Sequence, residues 1–428
     1  MAPGGRAGRA GTGGLAAAPG FLRLWAVGGL SNAMRQFEIL AAALFTFDLT
    51  HSGLAVAVVS ACRNLPMLAF GALAGVVSES LDRKAILVAA QAVSAAASLS
   101  VALLAASGIA RPWELAAAAL VSGTMWSTEG ATRRRMLGET LPPDLVARGF
   151  AFDSLTNALV RMLGPLSAGV AFQTLGLAGA YGISATCYGI ATLLALGVAH
   201  RQTPTRLRLA RVPRDLAEGF GYARAHPVIA GVLGVTITMN IFGFSYIALV
   251  APIAERHFAA PAALVGVLAA SEPVGALIAG SWLTRRGPPF GGRVLMVGGT
   301  LLFLSAIALL GRMPAFALAC LVMVPGGFGT ASFSAMQTAL IATHAPAEIR
   351  SRLFGLLTVC IGCGPLGILA MGVLGHLIGD RAALDVMAGV GMVVVALLGR
   401  RWRRREGEVV AVPPPRAGNT LARGGGTG

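Results

Sequence analysis

Charged residues are scarce in this sequence. Asp, Glu, Lys and Arg together make up 12% of the 428 residues, whereas 55% are hydrophobic and the mean hydropathy is +0.73. A water-soluble globule of this size needs more polar surface than that composition supplies. The sequence therefore excludes a soluble globular protein and predicts one that resides in a membrane.

Lysine is nearly absent. Of the 34 basic residues, 33 are Arg and the remaining one is Lys84. A net charge of +16 would suggest nucleic acid as the partner of a soluble chain, but here the basic residues are distributed among many short loops. We expect no nucleic-acid partner.

Cysteine is also rare. The five cysteines all fall in apolar segments, at positions 62, 187, 320, 360 and 363. This odd number, without metal-type spacing in a loop, predicts no disulfide framework, no metal site and no cofactor. Cys360 and Cys363 form a C-x-x-C pair, which we interpret as small packing residues in a helix.

Catalytic motifs are missing. We find no H-E-x-x-H, no phosphate-binding loop between a strand and a helix, and no nucleophile with a base at helical spacing. The sequence therefore predicts no enzyme. Because it also lacks a recognisable nucleotide-binding domain, any active function is expected to draw on an ion gradient.

What the sequence does contain is long apolar runs. Each is long enough to cross ~30 Å of hydrocarbon as a helix. Lipid cannot satisfy free backbone groups, and the runs do not alternate as barrel strands do, so an all-α membrane protein is predicted. The twelve predicted spans are 21–47, 53–77, 85–107, 113–135, 149–173, 179–199, 227–253, 262–284, 293–311, 315–340, 352–377 and 382–399.

The basic residues are distributed unevenly between the two sides of these spans. With the amino terminus inside, 27 fall on the inner side and four on the outer side, namely Arg111, Arg256, Arg312 and Arg381. This is the positive-inside pattern of a multi-pass protein whose two termini are cytosolic.

A loop and an internal repeat divide the chain. Residues 200–226 form the longest inner loop, and the sequence LPPDLVARGF at 141–150 resembles APAEIRSRLF at 345–354. A Gly-Pro pair follows each copy, at Gly164 and Pro165 and again at Gly364 and Pro365. We predict two six-helix bundles, 21–199 and 227–399, joined by the linker 200–226 and flanked by disordered segments 1–20 and 400–428.

A motif after the second span identifies a family. The sequence GVVSESLDRKAIL, with Gly75, Glu79, Asp82, Arg83 and Lys84, resembles the loop between helices 2 and 3 of the major facilitator superfamily. The glycine permits close helix approach, and the charges can hold an inner gate.

Further motifs narrow the resemblance. ALVRMLGPLSAG at 158–169 is similar to a Gly-Pro signature of exporters, and with FLRLW at 21–25 and RNLP at 63–66 it resembles the bacterial branch of drug and siderophore efflux proteins. That branch includes macrolide-type and enterobactin exporters. The resemblance implies a proton-coupled, monomeric transporter of the inner membrane that moves a small molecule by alternating access.

Several ionisable residues are predicted near the middle of the bilayer. Arg35, Arg63, Arg161 and Glu272 lie roughly 14–16 Å from one end of their spans at 1.5 Å per residue. Such residues are costly in lipid and are functional candidates. Glu272 is the first candidate for proton coupling and Glu38 the second, although Glu38 could instead form a local ion pair with Arg35, three positions earlier.

Other polar residues complete the candidate site. Glu129 and Arg133, four positions apart, are expected to form a salt bridge or part of the inner gate, with a substrate contact of Glu129 as the alternative. Cavity or substrate contacts are predicted for Asn32, Arg35, Arg63, Asn157, Arg161 and Asn240. The three midplane arginines outnumber the two carboxylates, which favours neutral or anionic cargo over cationic drugs.

The predicted function is export of an amphipathic organic compound in exchange for protons. Uptake of a small organic anion is the alternative within transport. A non-transporting receptor or assembly factor on the same scaffold is the alternative outside it, and this would need neither a titratable midplane carboxylate nor an inner gate.

Overall fold

The computed structural model describes the backbone of residues 19–80, 82–199 and 212–411, and the side chains in these ranges except those of 19, 70–80, 131, 143, 212, 213 and 405–411. The described chain is helical throughout, without a strand. The α-helices are α1 (Pro19–Thr50), α2 (Gly53–Ser80), α3 (Arg83–Ala106), α4 (Pro112–Thr140), α5 (Pro143–Leu196), α6 (Val212–Ala225), α7 (Pro227–Thr238), α8 (Val250–Phe258), α9 (Ala262–Arg286), α10 (Gly292–Leu310), α11 (Phe316–His344), α12 (Ala347–Gly362), α13 (Gly364–Ile378) and α14 (Asp380–Ala411).

Eight helical stretches of the described chain are long and apolar enough to cross a membrane. One of them, Asp144–Leu196, has 53 residues and would extend about 80 Å if straight, far beyond one bilayer. It turns at Gly176, whose φ of 64° is left-handed, so α5 makes two antiparallel passes. Helices α1, α2 and α4 add three passes. Of these, α1 and α4 contain more charged residues than α2 does.

Two passes are interrupted near mid-membrane. Between α7 and α8 the chain forms a π-turn, Met239–Gly243, and a 3₁₀ helix, Phe244–Leu249. Between α12 and α13 the helix breaks at Cys363, and Pro365 lies in the first turn of α13. The two breaks contact each other, because Gly367 packs against the backbone of Ile241. Counted in this way, the described helices make twelve passes.

The helices form two bundles. Helices α1 to α5 pack on one another, and α7 to α14 do the same. The bundles meet along α5 with α9 and along α2 with α12 and α13. Large apolar side chains such as Leu103, Leu193 and Leu321 are exposed on the outside, as lipid-facing residues are expected to be.

Helix α6 lies within the predicted linker. It begins after the undescribed residues 200–211 and is held against α12, because Arg352 donates to Asp215 at 2.9 Å and contacts Glu218 at 2.7 Å. We call the end of the molecule that contains α6, together with the start of α1, the linker face, and the opposite end the far face. Helix α14 extends past the predicted span to Ala411.

The bundles are closed against each other at the far face. Arg256 of α8 pairs with Asp380 at 2.9 Å and also donates to the backbone oxygen of His51 in the other bundle. The backbone N–H of Ala263 donates to Gln173 Oε1 at 3.0 Å, again across the two bundles. These contacts exclude a wide opening on this side.

Candidate functional site

An ion pair joins the two bundles near mid-membrane. Arg161 of α5 donates from Nη2 to Oε2 of Glu272 in α9, at 3.2 Å. Thr330 of α11 donates to the other oxygen of the same carboxylate. The Glu272 side chain is 4% exposed and that of Arg161 is 42% exposed, so the guanidinium is the accessible partner. Glu272 therefore has its oppositely charged partner on a helix of the other bundle.

Glycines bring the three helices together at this pair. A side chain on Gly327 of α11 would collide with the backbone of α9 at Glu272 and Ala276. One on Gly266 would meet the carbonyl of Pro165 in α5. Because small residues let helices approach closely, these contacts position Glu272 between α5 and α11.

A cavity of about 190 Å³ adjoins this pair. Ala158 and Arg161 line it from one bundle, and Pro273, Ala276 and Thr330 are among the residues that line it from the other. The cavity gives the Arg161 side chain an accessible surface between the bundles. The arrangement can bind a ligand group or a proton next to the interbundle pair.

A second ion pair is buried inside the first bundle. Arg63 of α2 donates from Nη2 to Glu38 Oε2 at 2.8 Å, and the two side chains are 5% and 1% exposed. Ser98 and Ser184 both donate to the other oxygen of Glu38. The carboxylate is thus satisfied by groups from three other passes.

The alternative of a local pair between Arg35 and Glu38 is wrong, because Glu38 is directed towards Arg63. Arg35 instead donates to Asn64 Oδ1 at 3.3 Å and stacks on Trp126, with its Cζ 3.9 Å from the ring centroid. Its Nε is buried and has no hydrogen-bond partner. Spacing of three residues placed the two side chains near each other in sequence but did not determine which way each one turns.

A polar chain leads from this region towards the linker face. Asn32 donates to Asn157 at 2.9 Å, and Trp126 donates to Asn32 at 3.3 Å. Asn157 donates to Asp153, one turn earlier in α5, and Asp153 pairs with Arg133 at 2.7 Å. The two predicted asparagines therefore belong to one network between α1, α4 and α5.

The predicted salt bridge between Glu129 and Arg133 does not form. Arg133 pairs with Asp153 of the neighbouring helix, while Glu129 accepts from Ser31 at 2.7 Å. Both side chains of the expected pair are buried among other helices rather than lying on one exposed helix face. Partners from α1 and α5 replace the intrahelical contact.

The motif residues lie at the linker face. Asp82 caps the start of α3 by accepting from the backbone N–H of Lys84 at 2.9 Å. Arg83 contacts Glu139 near the end of α4 at 2.5 Å. Gly75 and Glu79 lie in α2, but the packing around Gly75 and the side chain of Glu79 are outside the described residues. The described part of the motif thus links α3 to α4 within the first bundle.

The two Gly-Pro pairs, which we expect to bend their helices, lie inside α5 and at the start of α13. A side chain on Gly164 would meet Gln36 of α1, and Pro165 lies inside α5. Gly364 and Pro365 begin α13 after the break in the pass. Asn240 lies in the π-turn opposite this break and donates to the backbone oxygen of Thr236 at 2.9 Å.

Sequence reasoning missed several members of the site. Trp126, Asn64 and Thr330 carry no local signal that separates them from ordinary packing residues. Asp153 did carry one, because it is a carboxylate only a few residues inside a predicted span. Among the described residues, no three His, Cys, Asp or Glu side chains are arranged to hold a metal ion.

The chain matches one protein family along almost its whole length. Residues 16–419 match the family described as transmembrane secretion effector, which is of the major facilitator superfamily type. Similar proteins include the enterobactin exporter of Citrobacter koseri, 28% identical over 251 residues, and that of Escherichia coli O1:K1, 27% identical over 251 residues. Each alignment covers 58% of this chain and 59% of the relative, so it spans about three-fifths of their length.

Solved structures share the fold. A bacterial homologue of the human lysosomal transporter Spinster, in an inward-facing and unoccupied conformation, matches with a TM-score of 0.69 at 13% identity, over 90% of this chain and 97% of that one. A peptide transporter of the POT family in complex with sulfate matches with a TM-score of 0.72 at 11% identity, over 90% and 94%. The family and its structural neighbours are transporters rather than enzymes. The chain belongs to the transmembrane secretion effector family of major facilitator superfamily transporters, and it is a multi-pass membrane protein.

Proposed function

We propose that this protein exports an amphipathic organic compound across the bacterial inner membrane in exchange for protons, working by alternating access. The observation that carries the proposal is the ion pair between Arg161 and Glu272, because its two partners belong to different bundles. The similarity to proteins named enterobactin exporters supports the direction of transport. The excess of arginine on one side supports cytosolic termini.

The pair provides a route for coupling. A proton on Glu272 removes the negative charge that attracts Arg161, so the interbundle contact weakens and the bundles can separate at this point. Thr330 still satisfies one oxygen of the protonated carboxyl group. Return of the carboxylate to its charged form restores the pair. Glu38 is the second candidate, but its pairing with Arg63 lies within one bundle.

The cavities provide a route for the substrate. One, of about 190 Å³, lies between the bundles at Arg161, and another, of about 100 Å³, lies at Arg35 and Arg63. The closed far face leaves the linker face as the side from which a compound enters in this conformation. On this proposal the protein acts as a monomer, since one chain supplies both bundles.

The test uses purified full-length protein in liposomes that carry a pH gradient and an internal pH-sensitive dye. Lipophilic antibiotics, siderophores and organic acids are added in turn, and we compare the wild type with Glu272→Gln. We expect at least one compound to dissipate the gradient faster through the wild type, and that acceleration to be lost in Glu272→Gln.

The matched control is Glu348→Gln, which removes one carboxylate from an exposed position at the start of α12. It is expected to retain compound-dependent proton movement. If Glu272→Gln transports protons as fast as Glu348→Gln does, Glu272 is not the coupling residue. If folded wild-type protein moves no protons with any compound, the proposal of proton exchange is rejected.

A further inference from the structure

The charges near mid-membrane are unevenly matched. Arg63 is paired with Glu38 at 2.8 Å, and Arg161 is paired with Glu272 at 3.2 Å. Arg35 has no acidic side chain within 4 Å among the described residues, and no other residue there neutralises it. The one surplus positive charge predicted from the composition of the spans is thereby located on a single side chain.

The hydrogen bonds of Arg35 are equally incomplete. A guanidinium offers five N–H donors. Arg35 donates one of them to the neutral Asn64 at a long 3.3 Å, and its Nε is buried without a partner. The stacking on Trp126 supplies a cation–π contact but accepts no conventional hydrogen bond. A buried charged donor without an acceptor is costly, so this group is suited to receive one from a ligand.

Arg35 also lines a cavity. The space of about 100 Å³ is walled by the polar side chains of Arg35, Gln36, Ser60, Arg63 and Asn64 and by apolar side chains that include Ile247 of the second bundle. A water molecule takes up about 30 Å³, so this volume admits a carboxylate group but not a drug-sized molecule, which needs about 300 Å³ or more. The body of such a compound would extend beyond this cavity.

We propose that Arg35 and the cavity it lines form a subsite for the carboxylate of an amphipathic organic acid. The guanidinium fork matches the two oxygens of a carboxylate, which a point charge such as an ammonium does not. Trp126 fixes the plane of the guanidinium, and Asn64 holds one of its ends. Ile247 places an apolar surface of the second bundle against the same cavity, so bound ligand contacts both bundles.

This inference rests on the proposed function, because it takes the transported compound as the ligand. It assigns that compound a chemical class, an amphipathic acid in its anionic form, which the function itself leaves open. Equilibrium binding requires no proton gradient, so binding and coupling can fail independently. Normal acid binding without proton movement would reject the coupling alone, and proton movement without any preference for acids would reject the subsite alone.

The experiment is equilibrium binding to purified full-length protein in detergent micelles. The probes are naphthylacetate and phenylbutyrate, each measured beside its neutral primary amide, which has nearly the same size. We expect the wild type to bind each acid about tenfold or more tightly than its amide, since hydrogen bonds to charged groups are the strong ones. In Arg35→Gln the acid and the amide are expected to bind equally.

Arg148→Gln is the control, because it removes one positive charge from an exposed position at the linker face. It is expected to keep the wild-type preference for acids. Equal binding of acid and amide by the wild type would overturn the subsite, and so would an acid preference that persists in Arg35→Gln.

Folding of the variants is checked by their thermal midpoints. Arg35→Gln removes an unpaired charge, so no loss of stability is expected. If that variant fails to fold, Arg35→Lys decides the question, because it keeps the charge and loses the fork. The acid affinity is then expected to fall about fivefold while the amide affinity stays the same. Unchanged acid affinity in Arg35→Lys would overturn the proposal.

Discussion

The buried pair of Glu38 and Arg63 should be coupled far more strongly than any exposed pair. The two atoms are 2.8 Å apart, and at an effective dielectric constant of 20 their attraction is roughly 6 kcal/mol. Part of that attraction offsets the cost of removing both charges from water. Breaking such a pair by removing one partner typically costs about 3–5 kcal/mol, because the other charge is left buried and uncompensated.

We therefore expect Glu38→Gln and Arg63→Gln each to lower the free energy of unfolding by about 3–5 kcal/mol. The double variant should lose less than either single variant, since no isolated charge remains and Ser98 and Ser184 can still donate to the amide oxygen. Unfolding can be followed by circular dichroism as SDS is titrated into mixed micelles at pH 7.5.

The same cycle on Arg312 and Asp385 is the control. That pair has a similar distance, 3.0 Å, but the two side chains are 62% and 34% exposed. Exposed pairs contribute less than about 1 kcal/mol. If the losses for Glu38→Gln and Arg63→Gln simply add in the double variant, as they would for two independent sites, the reasoning from burial is refuted.

Two further outcomes follow from contacts elsewhere in the fold. Arg256→Gln removes the contacts that join Asp380 to the backbone of His51, so the far face should open more often. Ala57 is buried near the far-face end of α2, and maleimide should label Ala57→Cys several-fold faster when Arg256 is replaced in a cysteine-free background. An unchanged labelling rate would mean that the far face stays closed without Arg256. Gly327→Val places a side chain where α11 meets the backbone of α9, and we expect a loss of about 1–3 kcal/mol in stability, measured as a lower thermal midpoint. An unchanged midpoint would show that these helices can separate at no cost.

The sequence predicted the depth of the charged residues in the bilayer better than the direction in which their side chains point. Rise per residue places Arg35, Arg161 and Glu272 at similar depth, and the structure brings Arg161 and Glu272 into contact at that depth. Which side of its helix a residue faces depends on how neighbouring helices pack, and this is absent from local spacing. For this reason Glu38 was assigned a possible partner three residues away but pairs with a residue of another helix.

The same limit explains the polar chain near the linker face. Arg133 and Glu129 have the spacing of an intrahelical pair, yet Asp153 of α5 provides the carboxylate for Arg133. A carboxylate on an adjacent pass competes equally well once both side chains are buried. The break between α7 and α8 was also not predicted. The π-turn lies within the apolar run 227–253 and contains no proline and no pair of glycines that would mark a break.

The ion pair between Arg161 and Glu272 joins the two bundles, and this position has a thermodynamic consequence. On the proposed mechanism, separation of Arg161 from Glu272 takes away the cation that offsets the buried carboxylate, while Thr330 can still donate to it, so a negative charge at Glu272 costs more in the separated arrangement than in the joined one. Linkage is reciprocal, so neutralisation of Glu272 favours separation by the same factor by which separation favours the neutral form. On the proposed exchange, the substrate is therefore expected to bind the joined arrangement more tightly, because a compound that preferred the separated arrangement would also favour the neutral carboxyl group and would be carried together with the proton.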